Sequence, residues 1–176
     1  MKTRLKFTAM LPLAVMLIAT ALVSTATAKD LHVEALIDTK EDHTVLVPPP
    51  APDMPPALVR VQVEGTGCAA LLGHYILTID ENLSLPAKTS VGTFMLETMN
   101  GDKLTGTVIG QGTQITGTNN VAIVETCTIK GGTGRFKGAS GTLTDQRIVD
   151  QATNVSFGSI DATITVPDQP HCGRDR

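Results

Sequence analysis

Val121, Ile123, Glu125, Cys127 and Ile129 share one parity, and theirs is the more apolar side of the stretch Val121 to Lys130. In an extended chain, alternate side chains point to the same side. If this side faces the interior, Glu125 and Cys127 stand beside whatever cavity the fold encloses. A carboxylate placed there is partly desolvated, which raises its pKa and suits it to acid–base work. At a rim, or beyond a bulge, the same carboxylate would meet solvent instead. Glu125 is the candidate for catalysis, with no complete catalytic set around it. Glu125, Cys127, Tyr75 and Phe94 are the candidates for lining a ligand site.

The other chemistry-bearing patterns fail on their spacing. The glycine-dense stretch from Thr128 to Thr144 suggests a phosphate cradle, but a dinucleotide fingerprint starting at Gly132 and Gly134 would need a sixth-position glycine where Lys137 stands. A P-loop needs Gly-Lys-Ser/Thr, whereas Lys137 follows Phe136. His74 has the opposite parity to Tyr75 and is expected outside, while His32, His43 and His171 lie near the two ends. No Ser/His/Asp or Cys/His arrangement can be assembled. Cys68, Cys127 and Cys172 contain no CxxC pair and fit no zinc pattern, so neither a metal site nor a cofactor is expected. Asn82-Leu83-Ser84 and Asn154-Val155-Ser156 match glycosylation sequons, which matter only in a eukaryotic secretory route.

The N-terminus bounds the setting. Lys2, Arg4 and Lys6 precede the apolar run Phe7 to Val23, and Ala26-Thr27-Ala28 places small residues where signal peptidase cuts. Residues 1–28 therefore read as a cleaved signal peptide, which predicts a periplasmic or secreted protein. Residues 29–176 carry eleven Lys and Arg against seventeen Asp and Glu, a formal charge of −6. An acidic chain without a basic cluster is a poor partner for nucleic acid. After cleavage no stretch is long and apolar enough to be a transmembrane helix. An oxidising compartment predicts one disulfide among the three cysteines and one free thiol.

The segments that must position Glu125 are short and strand-like. Residues 29–56 are acidic and hold six of the ten prolines, which reads as a tether or arm. From residue 57 the composition changes to Thr, Gly, Val and Ile. Leu58 to Val63 alternates with period two, Gly65-Thr66-Gly67 looks like a bend or bulge, and Leu71 to Ile79 resumes as a strand. Val91 to Met99 and Lys103 to Ile109 flank Asn100-Gly101, the pair suited to a type I′ hairpin turn. Strands follow over 121–130, 142–150 and 157–166, and no segment has a helical period. This is an all-β pattern, and its glycines favour a small antiparallel β-barrel of about eight strands over a sandwich. Phe136 within the glycine run is expected to plug the core or one barrel end. With Tyr75, Phe94, Phe136 and Phe157 as the only aromatic residues after the signal, any cavity should be narrow.

Two stretches carry a family resemblance. Gly92-Thr93-Phe94 through Asn100-Gly101-Asp102-Lys103-Leu104-Thr105-Gly106-Thr107, and Ile129-Lys130-Gly131-Gly132-Thr133-Gly134-Arg135-Phe136-Lys137-Gly138-Ala139-Ser140-Gly141, resemble the bacterial exported branch of the allene-oxide-cyclase-like barrels. Those are relatives of plant allene oxide cyclases and of dirigent proteins. The likeness spans about residues 57–167, leaving 168–176 as a tail. It implies an eight-stranded antiparallel barrel, often with an apolar central cavity, and transfers no active-site residue to this chain. The expected function is non-enzymatic binding of a small apolar ligand or a protein partner, with homo-oligomers through the outer face compatible. A cyclase or isomerase acting on an apolar, lipid-epoxide-like substrate is the alternative. A structural envelope protein tethered by the arm is the third.

Overall fold

The structure is a computed structural model that describes residues 28–49 and 51–168. The segment read as a signal peptide (Ala28 apart) and the tail beyond Asp168, with His171 and Cys172, lie outside the described residues. Eight strands run in chain order: β1 (Ala28–Val47), β2 (Leu58–Ala69), β3 (Gly73–Ser84), β4 (Thr89–Thr98), β5 (Lys103–Gln114), β6 (Asn120–Gly132), β7 (Ser140–Asp150) and β8 (Val155–Pro167). Each pairs antiparallel with its neighbours, and β1 pairs with β8 to close the barrel. Closure removes every free strand edge.

The barrel begins at β1, which corrects the reading of residues 29–56 as an arm. β1 pairs along its length with both β2 and β8. Its acidic residues Asp30, Glu34, Asp38 and Asp42 occupy the exposed positions, while Val33, Ile37, Thr39 and Glu41 are buried. The acidity that suggested a tether is the solvent face of a strand. Pro48 and Pro49 come just after the strand ends, and Pro52, Pro55 and Pro56 belong to the connection to β2. That placement fits a residue that cannot donate to a ladder.

Two turn assignments also change. Gly65 and Gly67 stay inside an unbroken ladder with β1 and β3. A Cβ on Gly67 would lie 2.3 Å from the Tyr75 hydroxyl, so this glycine makes room for an inward ring rather than bending the strand. At Asn100-Gly101 only the glycine has positive φ, at 81°. Gly101 N–H donates to Thr98 O at 2.8 Å and Thr98 N–H donates to Asp102 O at 2.9 Å, which makes a three-residue hairpin loop rather than a type I′ turn.

An eight-stranded barrel has an interior that side chains just fill. Here the interior divides into two halves. Tyr75, Leu77, Leu96, Leu104, Ile129, Leu143 and Ile164 fill one half. Phe136 closes that end from a single 3-10 turn (Gly134–Phe136), and its side chain is 1% exposed. Arg135 stacks on the Phe136 ring at 4.7 Å and donates to the carbonyls of Leu71 and Leu72, tying the plug to the β2–β3 turn. The other half holds Thr39, Glu41, Glu81, Ser90, Glu125, Asp145, Arg147 and Ser156, all buried.

Large charged side chains fit this half because glycines stand opposite them. In the ladders Glu81 faces Gly92, Glu125 faces Gly110, and Arg147 faces Gly158. A Cβ on Gly92 would lie 2.1 Å from Asp80 O and 2.5 Å from the Glu81 Cα, and one on Gly110 would lie 2.4 Å from Ser90 Oγ. Gly92→Ala should therefore lower stability by about 2–4 kcal/mol, because backbone atoms must move. Gly112→Ala meets only the Ile123 and Val121 side chains, at 3.3 and 3.4 Å, and should change stability by about 1 kcal/mol or less. Urea unfolding midpoints distinguish the two, and equal effects would remove the cross-strand explanation.

Candidate functional site

Arg147 organises the polar half. On β7 the buried positions are Leu143, Asp145, Arg147 and Val149, so the strand's alternation sends Arg147 inward. Its Nη1 donates to Glu125 Oε2 and its Nη2 to Glu125 Oε1, both at 2.8 Å, forming a two-pronged pair between β7 and β6. Nη1 also donates to Asp145 Oδ2 at 2.8 Å. Nε reaches Glu41 Oε1 of β1 at 3.3 Å, and Nη2 lies 3.1 Å from the same oxygen. One guanidinium thus joins carboxyls from β1, β6 and β7. Glu125 and Asp145 are direct cross-strand partners, a like-charge pairing that the guanidinium bridges.

A fourth carboxyl, Glu81 on β3, completes the set beside Ser90 and Glu125. Four carboxyls around one guanidinium leave excess negative charge in a poorly solvated space. Burial, then the charge of Glu125, pushes the Glu81 carboxyl up to about 7. Burial also raises Asp145, to about 6, with Arg147 opposing and Glu125 reinforcing the shift. Burial would raise Glu41 too, but the hydrogen bond from His43 and the charge of Arg147 outweigh it and hold this carboxyl below its usual range. In return the Glu41 bond raises His43.

A half-open cavity of about 90 Å³ lies above this cluster at the barrel end where β1, β3, β5 and β7 finish. Its apolar wall includes Val61, Leu83, Val121, Ile123 and Val149, and its polar lining includes Glu41, His43, Glu81, Ser90, Gln111, Arg147 and Gln151. Both Glu41 oxygens are taken, one by Arg147 and the other by His43 Nε2 at 3.1 Å. Glu81 Oε2 is buried with no hydrogen-bond partner.

The structure brings all four residues singled out from the sequence inside the barrel but takes none of them to the wall of this cavity. Glu125 is fully buried in the grip of Arg147. Cys127 is fully buried, and desolvation followed by the nearby carboxylates raises its thiol pKa far above the ordinary value, which leaves it a poor nucleophile. Tyr75 is buried with an unpartnered hydroxyl, and its pKa is pushed up to about 12 by burial and by Asp145 and Cys68. Phe94 packs over Gly106, whose Cβ would lie 2.6 Å from the ring. Cys127 and the exposed Cys68 are both free thiols, so the expected bridge does not join these two.

The residues that do reach the cavity or its floor were open to the same parity argument. Glu81 continues the face of Tyr75, Leu77 and Ile79, and Arg147 continues that of Leu143. Each also has a cross-strand glycine as a second signal. The histidine of interest is His43, which follows Glu41 on the inner face of β1. Among the described residues no three His, Cys, Asp or Glu side chains are arranged to hold a metal ion.

The chain matches no family model and no curated protein. Among solved structures it is similar to that of a pterocarpan synthase dirigent protein, with a TM-score of 0.57 and 14% identity over 92% of this chain and 100% of the other. At that identity the likeness is one of fold, the eight-stranded dirigent-like barrel.

The raised carboxyls give stability a definite pH dependence. Between about pH 4 and pH 7 the folded state holds protons on Glu81 and Asp145 that the unfolded chain has released. Their contribution is full below the unfolded values and is lost as pH rises through the folded ones. His43 acts in the same direction, while Glu41 opposes it only as pH falls below the usual carboxylate range. Unfolding should be harder at about pH 5.5 than at about pH 8, by on the order of 1–3 kcal/mol. Glu81→Gln should remove a large share of that difference. Thermal unfolding at the two pH values tests this, and a Tm that rises toward pH 8 would contradict it.

Proposed function

We propose that this chain is an exported, dirigent-like barrel that binds a small, largely apolar molecule at its open end without transforming it. The observation that carries the reading is the cavity at the barrel end where β1, β3, β5 and β7 finish, where an apolar wall stands over a charged floor. Apolar pockets with a few converging polar groups are the usual form of small-molecule sites. Export is supported by the charged, apolar and small-residue pattern of residues 1–28. The allene-oxide-cyclase-like and dirigent-like resemblance of residues 57–167 implies a barrel that often has an apolar central cavity, which agrees with this reading.

A buried ion cluster supports the same reading from another direction. Well-packed apolar residues in place of a buried ion pair are often as stable or more so, so stability alone is a weak reason to keep four carboxyls and an arginine inside a small barrel. Their position directly beneath an open cavity gives them a use. Displacement of a neutral, environment-sensitive dye should reveal one site per chain. Leu83→Glu, which puts a charge on the apolar wall, should weaken dye binding about tenfold or more. Native mass spectrometry that finds nothing bound, together with no saturable dye signal, would defeat the binding reading.

One observation favours the enzymatic alternative. Glu81 lines the cavity, and its raised carboxyl is suited to giving or taking a proton near neutral pH, the property required of a cyclase or isomerase acting on an apolar epoxide. On that reading Glu81→Gln should slow turnover of a lipid epoxide by about 100-fold or more, the usual scale of a lost acid–base group. The dirigent neighbour named above is a pterocarpan synthase, which keeps a catalytic role in view for this barrel. Wild-type protein that leaves such epoxides unchanged after prolonged incubation would exclude this alternative.

A further inference from the structure

The acceptor that Glu81 leaves unused says what kind of head group the cavity takes. Glu81 is 6% exposed, lines the cavity, and keeps Oε2 without a partner. Buried polar groups in folded proteins are nearly always paired, so an oxygen left over at a cavity wall calls for a donor from outside the chain. The donor cannot be Arg147. Its three nitrogens already engage Glu125, Asp145 and Glu41. His43, at the rim, is committed to Glu41.

The sign of the missing donor follows from the groups that face it. Glu41, Glu125 and Asp145 hold one guanidinium with Glu81 beside them, and among the described residues His43 is the only other cationic group lining the cavity. A poorly solvated space with more carboxyls than cations repels anions and strengthens the attraction for a cation. A metal ion is disfavoured by the geometry, since no three ligating side chains converge among the described residues. The cavity of about 90 Å³ admits an ammonium group on a short stem, and its open side leaves a larger carbon body room to lie against the wall. Ser90, Gln111 and Gln151 add oxygens around the opening, and Leu83, Val121 and Val149 offer contact to an apolar body.

We propose that this cavity is a site for a small amphiphilic monocation, a protonated amine whose N–H group bonds Glu81 Oε2 while its carbon body lies on the apolar wall. The proposal rests on the reading that the open end of the barrel holds a ligand, and it adds the charge of that ligand. A charge-assisted bond to a carboxylate is roughly twice as strong as a neutral one, so the site should separate an amine from an alcohol of the same shape.

The test is a calorimetric or NMR titration of the protein with n-butylamine and with n-butanol at about pH 7.5 and low salt. The amine should bind at one site, about tenfold more tightly than the alcohol. Glu81→Gln, which keeps the shape, should bring the two within about twofold of each other. Equal binding of amine and alcohol to the wild type would overturn the proposal while leaving a ligand-binding mouth in place. So would an undiminished preference for the amine in Glu81→Gln. If neither probe binds but the neutral dye does, the amine assignment fails alone; if the dye also fails to bind, the underlying reading fails with it.

Discussion

Arg147 is the interaction on which the polar half of this barrel depends. Without a guanidinium at that point, Glu125 and Asp145 would face each other across two strands as like charges in a space without solvent. The planar fork gives Glu125 two parallel hydrogen bonds and still has hydrogens for Asp145 and Glu41. Three strands are thereby joined through one side chain. Glu81 keeps one carboxyl oxygen without a partner, and burial followed by the charge of Glu125 raises its affinity for protons against the opposing charge of Arg147.

The size of the barrel sets the terms for that cluster. Eight strands enclose a space that ordinary side chains already fill, so each long charged group must have an empty position beside it. Gly92, Gly110 and Gly158 supply those positions across the ladder from Glu81, Glu125 and Arg147. At the other end Gly67 yields to the Tyr75 ring and Gly132 to the backbone and Cβ of Phe136. Glycines that resemble turn signals in the sequence are in these cases spacers within strands. The ones at the Phe136 corner are different. Gly134, Gly138 and Gly141 have positive φ, which lets the chain reverse while the phenyl ring drops into the barrel end.

The two halves divide the labour of the molecule. The Phe136 end is apolar, plugged and tied to the neighbouring turn by Arg135. The opposite end keeps a cavity because its inner residues are committed to one another rather than to filling the mouth. Tyr75, Phe94 and Cys127 therefore serve the packed half, and the titratable side chains at the cavity include Glu81, Glu41 and His43. The likeness to a dirigent protein is one of scaffold, and the residues of this chain's own mouth carry the functional reading.

The sequence by itself determined the class of the fold, the faces that Glu125, Cys127, Tyr75 and Phe94 share with their apolar neighbours, and the plug at Phe136, while the closed barrel decided that those faces point inward. The former follow from period-two alternation and from glycine at tight turns, which are local properties of the chain. It misled over β1, because composition averages both faces of a strand, and the exposed acids of one face hid the buried run Val33, Ile37, Thr39 and Glu41. Only the tertiary structure decided which inward residues meet. Arg147 finds Glu125 at a separation of 22 residues and Glu41 at 106, distances spanned by ladder register and by the closing of β1 on β8. Parity is written in each strand, but partnership depends on how strands are stacked around a ring. That is why Glu125 was visible from the start and the open carboxyl of Glu81 was not.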